Sequence, residues 1–301
     1  MLGLGNTLAS NTVLTGISSP LELNNCILWL DFSDETKMFT EVGQTSGTSV
    51  VDGVLVGTVV NKATASDRLN NFVKSTSASY RPNYRSADGG YVEFGGGTNA
   101  TWGSARMDSH HGSYPTWISQ GGVNEDMSTA VIDQKNITVF FVIKLQDSDS
   151  TGGSMLDIWG AKTGDLAEAT RLYFSVNGSG DAVAIQSWSS DSSDYFSGST
   201  DLDTSKHIIT YRNEGGGTDE AKVYIDGVLD GTGTFDPSWT MEFSNANGLG
   251  DLTIGARTNA SGTVMGSPFK GDIYEIIFYN ETLSDGNKEL VEDYLNKKYS
   301  I

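Results

Sequence analysis

The sequence predicts an all-β protein: an antiparallel sandwich of many short strands, closed by one short C-terminal helix and preceded by an extended N-terminal arm. Short apolar or alternating runs recur along the 301 residues, separated by Ser, Thr, Asn and Asp. Glycine is abundant (36) and proline scarce (5), which suits many strands joined by turns. Helical spacing occurs in one place, the last twenty residues. The chain is 37% hydrophobic and 10% aromatic, enough to fill one large β core.

Residues 1–25 read as the arm. Leu2, Leu4, Leu8, Val13, Leu14 and Ile17 are scattered among small and polar residues without a clean period, and the stretch 1–20 ends at Pro20. It is either a disordered leader or an arm that orders on a neighbouring subunit, with Leu2, Leu4 and Leu8 as assembly contacts. The sandwich spans 26–301. It opens with Cys26-Ile27-Leu28-Trp29-Leu30-Asp31-Phe32, an apolar run suited to a strand buried on both faces. Residues 40–85 are polar and irregular, with a hairpin expected at Val51-Asp52-Gly53-Val54. Tyr91-Val92-Glu93-Phe94 alternates before a glycine run. Residues 98–132 lack periodicity and form a long loop insertion. Within it, Trp102, Tyr114 and Trp117 are candidates for sugar stacking or a protein contact; the competing reading has these aromatics plug one end of the sandwich.

The run 137–145 is the strongest strand, apolar on both alternating faces and therefore central in a covered sheet. Strands follow at 155–159, 171–176 and 182–188, with Asn177-Gly178 as the turn between the last two. Strands at 206–212 and 221–229 come next, the second folded at Asp226-Gly227, and strands at 252–255 and 273–279 complete the set. Ser284 is a good N-cap, Asp285 suits the positive end of a helix, and Leu290, Val291, Tyr294 and Leu295 share one face, with Lys297 and Lys298 at the end.

Formal net charge is −19, so the surface repels phosphate backbones and nucleic acid is not an expected partner. The single cysteine, Cys26, excludes an intrachain disulfide and reads as a core residue. The N-terminus lacks the charged and apolar regions of a standard secretory signal, and no run is long enough for a membrane helix. These features suggest a chain made in a reducing cytoplasm.

Several motifs agree with one family. Ile27-Leu28-Trp29-Leu30-Asp31, Lys74 to Tyr84, Tyr91-Val92-Glu93-Phe94-Gly95, Lys222-Val223-Tyr224-Ile225-Asp226-Gly227 and Phe269 to Tyr299 resemble, in order, segments of laminin-G-like, concanavalin A-like domains. The usual Asp after Phe94 is missing. The resemblance implies a jelly-roll sandwich, common in carbohydrate-binding modules, adhesins and virion surface proteins of tailed phages. The start Met1-Leu-Gly-Leu-Gly-Asn is similar to the N-termini of structural proteins from marine phages.

The same sandwich hosts glucanases, whose retaining members need two carboxylates about 5 Å apart. No E-x-D-x-x-E run is present, and Asp272 and Glu275, three apart on a strand, are expected on opposite faces. Such domains often hold calcium, which is implied here without a location. Asp191 and Asp194 are the densest loop pair and the metal candidates, although each also reads as a solvated turn former. His110, His111 and His207 lack zinc spacing. No catalytic residue and no required cofactor is assigned. The expected function is a non-enzymatic virion surface subunit, a capsid decoration or fibre-like protein on the virion exterior. It would join other virion proteins, or further copies of itself, through the arm, and would adhere to host surface glycans. The alternatives are a freestanding extracellular carbohydrate-binding module and, third, a glycoside hydrolase.

Overall fold

The computed structural model describes residues 16–41, 46–65, 69, 72–74, 81–95, 107–108, 131–146, 153–163, 165–176, 183–189, 193–242, 251–255 and 269–301. Among them the strands, in chain order, are β1 (Cys26–Asp31), β2 (Met38–Phe39), β3 (Thr58–Val60), β4 (Phe72–Lys74), β5 (Asn83–Arg85), β6 (Tyr91–Phe94), β7 (Met107–Asp108), β8 (Val131–Ile132), β9 (Asn136–Leu145) and β10 (Gly153–Lys162). They continue with β11 (Asp165–Val176), β12 (Val183–Ser189), β13 (Ser193–Ser197), β14 (Lys206–Glu214), β15 (Ala221–Ile225), β16 (Val228–Gly233), β17 (Met241–Glu242), β18 (Asp251–Ile254) and β19 (Gly271–Tyr279). The helix α1 (Asp285–Tyr299) ends the fold.

Two antiparallel sheets result. The first runs β16-β15-β14-β9-β19-β6-β5, with β1 also on β19; the second runs β13-β12-β11-β10-β18-β7-β4-β3-β2, with β17 joining β10 to β8. Strand β19 organises the first sheet. One edge pairs with β9, and the other is shared by β6, opposite Gly271–Ile273, and β1, opposite residues 275–279. A β-bulge between Ile273 and Glu275 marks this change of partner.

The core lies between the sheets. Leu28, Leu30, Val139, Phe141, Ile276 and Phe278 meet Leu156, Ile158, Leu172, Phe174 and Ile185, all fully buried or nearly so. Phe174 sits at its centre, its ring 5.5 Å from Phe141, 5.7 Å from Tyr211 and 6.3 Å from Phe278. A second apolar cluster covers the outer face of the first sheet, where Trp29, Phe140, Val142, Ile208, Ile277 and Tyr279 receive Val291, Leu295 and Tyr299 of α1. Strands β1, β9 and β19 are therefore buried on both faces, as their continuous apolar runs predict.

Ser284 caps α1, its hydroxyl accepting from the Asn287 N–H at 3.2 Å. The buried stripe differs from the expected one. It comprises Lys288, Val291, Glu292, Leu295 and Tyr299, while Leu290 and Tyr294 are half-buried. Lys288 and Glu292 are tolerated inside because they pair at 2.6 Å, Thr210 donates to Glu292 at 2.7 Å, and the Lys288 ammonium lies 4.2 Å from the centre of the Tyr224 ring.

The Asp226-Gly227 turn forms as expected, both residues at positive φ (52° and 78°), between the paired Ile225 and Val228. The Asp52-Gly53 turn also forms, but its flanks do not pair with each other. Ser49 bridges to Phe39 and Leu55 to Asn83, so it links two neighbours and makes no hairpin. Strands β11 and β12 pair antiparallel from Val176 opposite Val183, and the turn expected at Asn177-Gly178 lies outside the described residues.

The end of the segment expected as an arm lies on the sandwich. Residues Pro20–Glu22 form a 3₁₀ turn capped by Ser19, the Tyr279 hydroxyl donates to the Pro20 carbonyl at 2.9 Å, and Ile17, Leu21 and Leu23 pack beside the cluster under α1. Leu2, Leu4 and Leu8 lie outside the described residues.

Candidate functional site

Strands β10 to β13 turn Leu156, Ile158, Leu172, Phe174 and Ile185 inward. Period-two alternation therefore sends Asp157, Arg171, Tyr173 and Gln186 to the outer face. Cross-strand register aligns Thr253, Asp157, Tyr173, Gln186 and Tyr195 in one row over β18, β10, β11, β12 and β13. In the adjacent row Arg171 stands between the register positions of Trp159 and Trp188.

Arg171 is held by a forked pair to Asp157, Nε to Oδ1 at 2.6 Å and Nη2 to Oδ2 at 2.9 Å. Its guanidinium carbon lies 4.3 Å from the centre of the Tyr173 ring. The Tyr173 hydroxyl donates to Gln186 Oε1 at 2.6 Å. Exposure rises along the row, from Asp157 (0%) through the half-buried Tyr173 and Gln186 to Tyr195 (49%). The buried ion pair thus fixes one end, the Tyr173 ring and the Gln186 carboxamide are half-buried in the middle, and the Tyr195 ring is exposed at the other end. Such a row offers ring surface to the C–H face of a saccharide and donors and acceptors to its hydroxyls.

Among the described residues a dense set of ionisable groups lies elsewhere, under α1. Glu275 (1% exposed) accepts from Trp29 Nε1 at 2.6 Å, Lys298 Nζ at 2.7 Å and the Tyr299 hydroxyl at 2.8 Å. Lys298 also reaches Asp31 at 2.7 Å, and Lys62 joins Asp31 (2.9 Å) to Asp34 (3.0 Å). Burial raises the Glu275 carboxyl above its ordinary value despite Lys298. Burial also acts on Asp31, but Lys298, the Ser33 hydroxyl and Lys62 outweigh it and hold that carboxyl low. With its oxygens committed to the helix and to Trp29, Glu275 braces α1 on the sheet.

The bulge overturns the expected placement of Asp272 and Glu275. Tyr274 and Glu275 both face α1, where the Tyr299 ring and hydroxyl meet them, so Asp272, Tyr274 and Glu275 share the outer side. Asp272 stands opposite Glu93 on one strand and Lys144 on the other, and Glu93 accepts from Arg85 Nε at 2.8 Å. Burial and the Glu93 charge push the Asp272 carboxyl up to about 7.

Trp102, Tyr114, Trp117, His110, His111 and Asp191 lie outside the described residues. Asp194, expected in a loop, stands on β13, where it accepts from its neighbour's N–H (Tyr195, 3.0 Å) through Oδ1 and from the Asp236 N–H through Oδ2, pinning that strand to the loop before β17. Among the described residues no three His, Cys, Asp or Glu side chains gather as a metal site. His207 bridges Asp226 (2.8 Å) and Asp203 (3.1 Å) at the start of β14. Burial pushes the Cys26 thiol up to about 12, which fits an inert core residue. The outer row on β10–β13 was not singled out from sequence. Its signal is the alternation of Arg171, Tyr173 and Ser175 with Leu172, Phe174 and Val176, a polar and aromatic face backing an apolar one.

The model of the concanavalin A-like lectin/glucanases superfamily matches residues 119–287, more than half of the chain. No curated protein matches. Among solved structures, the CBM40 module of the Ruminococcus gnavus IT-sialidase bound to α2,3-sialyllactose is similar at 16% identity and TM-score 0.37, over 53% of this chain and 82% of that one. Domain 4 of AbnA, a GH43 arabinanase from Geobacillus stearothermophilus, in complex with arabinotriose, is similar at 15% identity and TM-score 0.40, over 90% and 98%. The ligand-binding domain of botulinum neurotoxin serotype D in complex with N-acetylneuraminic acid is similar at 10% identity and TM-score 0.44, over 89% and 50%. With two antiparallel sheets, one terminal helix and a family model spanning most of the sandwich, the chain belongs to the concanavalin A-like lectin/glucanases superfamily.

Proposed function

We propose that the chain is a non-catalytic carbohydrate-binding protein that grips glycans on the outer face of β10–β13 and serves as a surface subunit of a tailed-phage virion. The observation that carries glycan binding is the Tyr173-Gln186-Tyr195 row, ordered by register and anchored by the buried Asp157–Arg171 pair. An anchored row is pre-organised, so little ordering cost opposes binding. Titration against a glycan panel that includes sialyllactose and arabinotriose is expected to find at least one ligand. Tyr195→Ala, at an exposed position, should weaken that ligand about tenfold, the loss of roughly 1.4 kcal/mol. A panel without a ligand, or one unaffected by Tyr195→Ala, refutes the assignment.

The virion role rests on the small-residue arm that precedes the sandwich. Because Ile17 and Pro20 pack on the sheet, the informative truncation removes residues 1–15 and leaves that contact intact. It should abolish attachment to particles while the melting temperature holds; full occupancy by the truncated protein would sink the idea.

A second reading, hydrolysis, is favoured by the Glu93–Asp272 pair. Cross-strand neighbours have Cβ atoms about 5 Å apart, near the carboxylate separation of retaining glycosidases, and Asp272 holds its proton near neutrality. Turnover of a polysaccharide that disappears in Glu93→Gln would replace the binding reading with this one.

A further inference from the structure

A cleft of about 250 Å³ opens at one end of the sandwich, where the turn before β9, the turn after β10 and the loop into β17 meet. Lys135, Lys162, Thr163, Pro237, Ser238 and Trp239 line it. Its walls are fixed from several directions. The Thr163 N–H donates to the Thr240 carbonyl at 3.0 Å, Asn213 Nδ2 to the Phe235 carbonyl at 2.8 Å and Gln134 Nε2 to the Trp239 carbonyl at 3.5 Å, while Ser187 holds Gln134 Oε1 at 2.5 Å. Asp194 secures the loop at the Asp236 N–H.

Pro237 and Trp239 are buried and form the apolar side, and Thr163 and Ser238 stand exposed at the rim. The buried indole N–H of Trp239 has no hydrogen-bond partner, a standing cost in a residue that lines the cleft.

Charge and size narrow the ligand. Lys135 is paired with Asp236, and Asp133 accepts from the Lys135 N–H at 3.1 Å and Asn136 Nδ2 at 2.7 Å, so the rim carries both signs. The net charge of −19 disfavours an anion. The volume falls below the roughly 300–1,000 Å³ that holds a drug-sized ligand, which leaves room for a single ring.

We propose that this cleft is an end-on site for one neutral pyranose, the terminal unit of a glycan, separate from the open row on β10–β13. The proposal rests on the carbohydrate reading above and adds to it a second, chain-end subsite.

The test uses the ¹⁵N-labelled full chain, titrated with the methyl pyranosides of glucose, galactose, mannose and N-acetylglucosamine. The indole N–H signal of Trp239, assigned by its loss in Trp239→Phe, is the local reporter. At least one glycoside is expected to shift it saturably. Ser238→Leu, which narrows the cleft from an exposed position, should weaken that ligand at least tenfold. Silence with all four glycosides overturns the proposal, as does a Ser238→Leu protein that binds as tightly as the parent. Oligosaccharide binding that persists and depends on Tyr195, with all four glycosides silent, removes the cleft and leaves the open row standing. If neither kind of ligand binds, both fall together.

Discussion

At position 272 a carboxylate faces a glutamate across one strand pair and a lysine across the other, with 9% of its surface in contact with solvent. Like charges directly opposite are destabilising, and burial adds a desolvation cost. The folded state relieves both by keeping Asp272 protonated up to about pH 7. The folded value is raised above the unfolded one, so the stability linked to this group is complete below about pH 4 and is lost as pH rises through about 7. A carboxyl displaced that far is worth up to about 4 kcal/mol, and partial screening by solvent lowers the expectation to on the order of 2 kcal/mol. Asp272→Asn should therefore match the parent in urea unfolding at about pH 3.5, fall progressively out of step with it as pH rises, and exceed it most at pH 8. Equal stabilities at pH 8 would show that Lys144 already compensates the charge. None of this was legible from residue spacing, because one inserted residue in β19 moved Tyr274 and Glu275 onto the same side and cancelled the alternation on which the spacing argument depended.

Among elements, the terminal helix illustrates how far sequence reading reaches. Its start, its length and the packing of Val291 and Leu295 follow from the Ser284 cap and the helical period. What periodicity does not reveal is that two cations, Lys288 and Lys298, and one acid, Glu292, are also buried or half-buried there. Those contacts depend on β14 and β15 lying beneath Lys288 and Glu292, and on β1 and β19 beneath Lys298. Long strands buried on both faces were legible for the same reason as the helix, since burial writes itself into composition. Two- and three-residue strands such as β2, β3, β5 and β17 were not, because each exists only through its partner. The outer row on β10–β13 is likewise a product of register, which no single strand displays. Lys298 tests the helix clamp. Lys298→Met removes the cation from Glu275 and Asp31 and leaves two buried acids, so it should cost roughly 3–5 kcal/mol. The neighbouring exposed Lys297→Met should stay within about 0.5 kcal/mol. Adding Glu275→Gln to Lys298→Met should recover part of the loss; no recovery would mean that Glu275 contributes little to the penalty.

At the scale of the whole molecule the governing quantity is charge, 38 acidic against 19 basic residues for a net of −19. Two classes of ion pair sit in this field. Pairs such as Asp157–Arg171 and Lys288–Glu292 are shielded from solvent and from salt. Pairs such as Arg85–Glu93 and Lys222–Glu214 are partly exposed and contribute little each. Salt weakens the exposed attractions and the general repulsion alike, since the screening length falls from about 10 Å at 0.1 M to about 3 Å at 1 M. With acids outnumbering bases two to one, repulsion among the carboxylates outweighs those weak attractions, and screening it favours the compact state. The melting temperature is therefore expected to rise between 0.05 M and 1 M sodium chloride, a salt chosen because sulfate would also strengthen apolar burial. A fall would mean that the partly exposed pairs outweigh the repulsion. In that event Arg85→Met, which removes one such pair, should make the fall shallower, whereas under the expected balance it should leave the slope of the rise nearly unchanged.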